Sequence, residues 1–139
     1  MLLLKNQLSE TYCYINFIEA KNTIYVQWQC KANLSEVKKA VKHILELQEK
    51  VRASAFLTDY TKCRGFEQST IEFLNQEFFP MIGSRGITKH AFIFSENAYD
   101  KLMKQAFCSY YANLFEVAVF NCLQKGNNWL QKATVKSAS

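Results

Sequence analysis

Apolar and polar positions alternate along this chain in patterns that change from segment to segment. Residues 54–60, Ser-Ala-Phe-Leu-Thr-Asp-Tyr, open with an uncharged, apolar-leaning run that leads into Asp59 and then the polar stretch Thr61, Lys62, Cys63, Arg64 and Gly65. Set between two helical patterns, such a run predicts a buried central strand of a parallel sheet. The carboxyl end of that strand is where such sheets open a binding crevice.

Upstream, residues 11–19 and 23–30 are rich in β-branched and aromatic side chains, and Ala20, Lys21 and Asn22 between them predict a hairpin turn. Period-two spacing puts Ile24, Val26, Trp28 and Cys30 on one face and Tyr25, Gln27 and Gln29 on the other. Asn33 and Glu36 have the spacing of a helix-capping pair. After them Leu34, Val37, Val41, Ile44, Leu45 and Gln48 recur at helical intervals, leaving Lys38, Lys39, Lys42, His43, Glu46 and Glu49 to solvent.

Beyond the central strand, residues 67–79 carry Ile71, Leu74 and Phe78 on one stripe with Phe73 and Phe79 beside it, and Pro80 is expected to end or kink that helix. Gly83 and Gly86 release the chain. Residues 90–94 predict a second buried strand, followed by a helix bearing Tyr99, Leu102, Met103, Ala106 and Tyr110. A last strand over 115–120 and a final helix capped by Asn121 place Trp129 and Leu130 against the core, and 131–139 form a tail.

The expected fold is therefore α/β. An N-terminal β-hairpin precedes a right-handed βα superhelical unit, giving a largely parallel five-stranded sheet with its helices mainly on one face. At 139 residues, with a core over 11–130, this is a single domain, and one proline, four glycines and 49% hydrophobic residues exclude a disordered or loop-rich chain.

Charge and cysteine content narrow the chemistry. The net charge of +5 is dispersed apart from Lys38, Lys39 and Lys42, a cluster that a solvated helix face explains, so no nucleic-acid partner is expected. Cys13, Cys30, Cys63, Cys108 and Cys122 are odd in number and lack metal or redox spacing, which predicts five free, buried thiols without disulfide or metal. Lys5, Asn6 and Gln7 cut the apolar opening well short of a signal peptide or membrane span; a cytoplasmic protein is expected, in which the sequon Asn33, Leu34, Ser35 is inert. His43 and His90 lack ligand spacing, Gly65 stands alone, and Asp59 with Glu67 could approach across one loop without forming more than a cap or tie. No enzyme and no cofactor are expected.

The Trp28 strand, the Phe56-to-Asp59 strand ending in aspartate, the helix from Phe73 and Leu74 to Phe79 and Pro80, and the closing Phe120 with Trp129 and Leu130 follow one another in a familiar order. In these features, from about residue 11 to 130, the chain resembles short bacterial proteins grouped with STAS domains, the sulfate-transporter and anti-sigma-factor-antagonist modules. Such proteins are sometimes labelled as related to CRAL-TRIO lipid-binding domains. The resemblance implies a SpoIIaa-like fold and a non-enzymatic protein-interaction or regulatory module, with a small-ligand or lipid carrier as the alternative. In regulatory STAS domains a phosphorylatable serine in an Asp-Ser-Ser-Gly motif opens the helix after the central strand. Here Gln68 falls at that position, with Ser69 and Thr70 following, so the serine switch is not expected.

The expected partner or anion site is the segment that includes Asp59, Lys62, Arg64, Glu67, Gln68 and Ser69, where a helix start and two cations attract negative charge. Lys62, Arg64, Arg85 and Lys89 also flank turns of the central strands as a possible anion-attracting patch. A homodimer through the aromatic hairpin, where Tyr12, Tyr14 and Tyr25 accompany Trp28, is expected because helices on one side would leave sheet surface bare.

Overall fold

The computed structural model describes residues 1–95 and 116–132. Six strands form one sheet in chain order, β1 (Leu2–Lys5), β2 (Thr11–Ile18), β3 (Thr23–Cys30), β4 (Ala55–Cys63), β5 (Lys89–Ile93) and β6 (Glu116–Phe120). The first three pair antiparallel, and β3 through β6 pair parallel. The expected five-stranded sheet thus has a sixth member. The apolar opening is an edge strand, paired in register from Leu2 with Ile15 to Leu4 with Cys13.

Helix α1 (Leu34–Val51) starts at the expected capping box. The Asn33 side chain accepts from Glu36 N at 2.8 Å, and Asn33 N donates to Glu36 Oε1 at 2.9 Å. It buries Val37, Ala40, Val41, Ile44 and Gln48. The Gln48 amide is a tether: Nε2 donates to the Ala53 and Arg85 carbonyls at 2.9 and 2.8 Å, and Oε1 accepts from Ala53 N at 3.0 Å.

Pro80 does not end its helix. Helix α2 (Gln68–Phe73) continues as a π-helical segment (Leu74–Phe78) and then as α3 (Phe79–Ser84), with Pro80 in the first turn of α3. Phe79 N donates to Leu74 O, five residues back. The wider turn removes the need for a proline N–H and makes room for its ring.

Between these helices and the sheet lies an aromatic core in which Trp28, Phe56, Tyr60, Phe78, Phe79 and Phe92 are all fully buried. Tyr60 stacks on Phe94 with centroids 4.8 Å apart, and Phe56 meets Phe78 edge-on at 5.9 Å. Helix α4 (Leu123–Gln131) packs on the opposite face, where Ala55, Leu57, Ala91, Ile93 and Leu130 form a second cluster with Tyr25, Phe120 and Trp129 against it. The described helices therefore lie mainly, but not wholly, on one face. The α4 cap is Cys122 rather than Asn121, and it makes no side-chain capping bond. The expected helix carrying Tyr99 to Tyr110, and Phe115 of the last strand, lie outside the described residues.

Candidate functional site

Strand β4 extends past Asp59 to Cys63, so the loop before α2 is shorter than expected and covers only residues 64–67. Its backbone is fixed at both ends. Arg64 N donates to Cys30 O at 2.8 Å, and Gly65 takes φ 102°, a conformation that side chains other than glycine's rarely adopt. Phe66 then turns inward, edge-on to Trp28 at 5.5 Å and to Tyr60 at 6.3 Å. This anchor leaves Lys62, Arg64, Glu67, Gln68 and Ser69 exposed around it. Thr70 is fully buried, and its hydroxyl has no hydrogen-bond partner among the described residues. Of the two hydroxyls next to Gln68, only that of Ser69 faces solvent.

Asp59 is placed differently from the other five. It is buried within β4 on the α4 face of the sheet, where Oδ2 accepts from Tyr25 Oη at 3.1 Å and Gln27 Nε2 at 3.2 Å. Oδ1 accepts from Thr61 N at 2.9 Å and Thr61 Oγ1 at 2.7 Å. Gln29 extends the chain of bonds to Gln27 Oε1 at 2.9 Å. Four donors on one carboxylate satisfy a buried charge. Burial, and then the Asp59 charge, push the Tyr25 phenol well above its usual range. Asp59 thus braces β3 against the end of β4, whereas Glu67 precedes a helix on the opposite face, and the structure does not bring the two carboxylates together.

The suggested patch of four cations is also divided. Lys62 and Arg64 lie at the carboxyl end of β4, whereas Lys89 pairs in register with Ala55 at its other end. Lys89 contacts Glu116 at 3.4 Å, and Arg85 contacts Glu49 at 4.0 Å.

His43 is exposed on α1, while His90 is fully buried, with Nε2 2.9 Å from Thr58 Oγ1 and its ring stacked 3.9 Å from Phe92. Burial holds the His90 imidazole well below its ordinary range. Among the described residues no group of three or more His, Cys, Asp or Glu could hold a metal ion. Cys13 and Cys63 are buried and Cys30 is half-buried, but Cys122 is exposed, contrary to the expectation of uniform burial. Burial pushes the Cys13 thiol upward, away from reactivity.

No family model and no curated protein matches the chain. Several solved structures share its architecture, and two of them illustrate it. One is an uncharacterized protein of the DUF3478 family with a SpoIIAA-like fold, from Shewanella loihica PV-4. It aligns with a TM-score of 0.59 over 85% of this chain and 93% of that one, at 13% identity. The other is the anti-sigma factor antagonist SpoIIAA in its unphosphorylated form, with a TM-score of 0.60 over 87% of this chain and 98% of that one, at 7% identity. The fold is SpoIIAA-like. At these identities the likeness concerns the fold alone, and it agrees with the α/β topology expected from the sequence.

The exposed and buried members of the candidate site could not be sorted from the sequence, because all six are polar and nothing in the stretch marks where β4 ends. The period-two pattern of β3 did carry a signal for the Asp59 network. It put Tyr25, Gln27 and Gln29 on one face, and three hydrogen-bonding side chains in a row beside a strand aspartate suggest a shared bond network.

Proposed function

We propose that the chain is a non-enzymatic STAS-like interaction module that docks a protein partner, or an anionic group on it, at the loop after β4. The observation that supports this reading is the geometry of that loop. Phe66 is locked between Trp28 and Tyr60 while Lys62, Arg64, Gln68 and Ser69 are held outward. A surface already rigid before binding loses little entropy on association. SpoIIAA, whose fold this chain resembles, is an anti-sigma factor antagonist. In this reading Asp59 supports the site from behind, and docking is constitutive, since Gln68 has no hydroxyl to phosphorylate.

The test is quantitative cross-linking of the tagged protein in its own cells, comparing the wild type with a Lys62→Ala, Arg64→Ala variant. Loss of the wild type's cross-linked partners supports the reading. An unchanged set, or phosphate found on Ser69, refutes it.

The same reading includes a cytoplasmic homodimer in which the contact is the β1–β2 part of the α4 face of the sheet, a part that no helix among the described residues covers. Tyr14 and Tyr25 meet edge-on at 5.7 Å on that face, Leu3 is exposed beside them, and α4 packs on the parallel half of the sheet rather than over β1 and β2. Light scattering at micromolar concentration decides it. No helix of the described residues is long and apolar enough to cross a membrane.

A further inference from the structure

The turn joining β1 to β2 is unusually well bonded for an exposed loop. Asn6 Oδ1 accepts from Leu8 N at 2.9 Å and Glu10 N at 3.0 Å, Asn6 N donates to Glu10 O at 2.9 Å, and Ser9 N donates to Asn6 O at 3.0 Å. This rigid turn holds Leu8 out in solvent, 80% exposed. Leu8 stands on the rim of a groove of about 790 Å³ between the turn and α1. Lys5 lines one wall, Lys39, Lys42 and His43 line the other, and Tyr12 contributes to the lining. Two carboxylates, Glu36 and Glu46, share the groove with the three lysines, and Glu36 is held in place by the Asn33 amide of the capping box. The groove therefore offers net positive charge beside one presented apolar side chain.

We propose that this groove binds an acidic peptide segment of a partner protein, with carboxylates on Lys5, Lys39 and Lys42 and an apolar side chain on Leu8. A concavity with two walls fits a chain segment, whereas a flat layer of lipid headgroups would touch only its ridges. A nucleic-acid backbone would meet the lysines and make no use of Leu8. The stretch of α1 from Asn33 to Glu46 spans about 20 Å, enough for roughly six extended residues. The proposal is separate from the loop after β4 and shares no residue with it.

The probe is a fluorescein-labelled peptide of about ten residues with Leu interspersed among Glu, read by anisotropy with the full chain. Binding should weaken at least about tenfold in a Lys39→Glu, Lys42→Glu variant and about threefold in Leu8→Ser, while Lys62→Ala with Arg64→Ala leaves it unchanged. An all-Glu peptide of equal length should not distinguish Leu8→Ser from wild type. Amide chemical-shift mapping on unmodified protein should place the peptide at residues 5–8 and 35–46, whatever the variants do. The proposal is overturned if the wild type does not bind the peptide or if the shifts map elsewhere. It is also overturned if oligothymidylate or phosphatidylserine vesicles bind more tightly through the same lysines with no effect of Leu8→Ser.

Discussion

The Lys89 ammonium lies 4.2 Å from the centre of the Trp129 indole and 3.4 Å from the Trp129 carbonyl oxygen. It sits at the last turn of α4, where the Trp129 carbonyl also accepts from Lys132 N at 3.2 Å, so one cation meets a ring face and a helix end together. Lys89 is almost fully buried, and its partner Glu116 is half exposed. The ring and carbonyl contacts should therefore outweigh the ion pair. Replacing Lys89 with Met keeps the aliphatic stem and removes the charge. It is expected to lower stability by about 2 kcal/mol, against less than about 0.5 kcal/mol for Glu116→Gln. Urea unfolding followed by tryptophan emission checks both, and equal losses would mean that the ion pair holds α4.

His90 predicts a specific acid limb. Its ring is enclosed by Phe56, Phe79 and Phe92, with Thr58 as its polar neighbour. Burial lowers its folded pKa well below the ordinary 6.5, so the unfolded chain takes up the proton first. The stabilising effect of a neutral His90 is complete above that ordinary value. It declines as pH falls below it, with a slope of up to about 1.4 kcal/mol per pH unit until the folded value is reached. Unfolding midpoints measured between pH 7.5 and 4.5 should show this slope in the wild type and a flatter limb in His90→Gln, which retains a group able to bond Thr58.

How much of this was legible beforehand depends on how local each determinant is. The capping box at Asn33 and Glu36 and the period-two faces of β3 are set by neighbours in sequence, and both formed as expected. Leu2–Lys5 was not legible as a strand, because four residues carry little periodicity and the pairing with β2 alone fixes them. Of the two outcomes expected at Pro80, an end or a kink of the helix, the structure rules out only the end, for a related reason. Proline excludes a regular α-helical bond, but burial of Leu74, Phe78 and Phe79 favours keeping the helix, and a π turn satisfies both. In the candidate site Lys62, Arg64, Gln68 and Ser69 could be placed near one another from the strand and helix pattern. That Asp59 faces away from them followed only from the alternation along β4 continuing beyond its apolar part.

The Asp59 network predicts a stability loss distinct from any loss of binding. Asp59→Ala leaves Tyr25 Oη, Gln27 Nε2 and the Thr61 donors facing a void, at an expected cost of about 3 kcal/mol. Tyr25→Phe removes one donor and should cost about 1 kcal/mol. In Asp59→Asn the charge is gone, so the Tyr25 phenol should ionise at lower pH than in the wild type, as read by ultraviolet titration. An unaltered phenol titration would mean that burial alone sets it.

Gly126 tests how closely α4 lies on the sheet. A Cβ there would fall 2.6 Å from Ile93 Cδ1 and 3.6 Å from both Leu57 Cδ1 and Phe120 Cδ2. Two effects oppose each other in Gly126→Ala. Helix propensity favours alanine by about 1 kcal/mol, whereas the new methyl group must displace the end of the Ile93 side chain. That end is flexible, so the effects should nearly cancel and leave stability within about 1 kcal/mol of the wild type. Gly126→Val adds two further carbons where Leu57 and Phe120 already close the space, and α4 would have to lift. A loss of about 2–3 kcal/mol is expected, together with a red shift of the Trp129 emission that the alanine variant does not show. If valine is tolerated as well as alanine, α4 does not pack through Gly126, and its hold on the cluster around Leu57 and Ile93 must come from Leu130, Trp129 and the Lys89 contact.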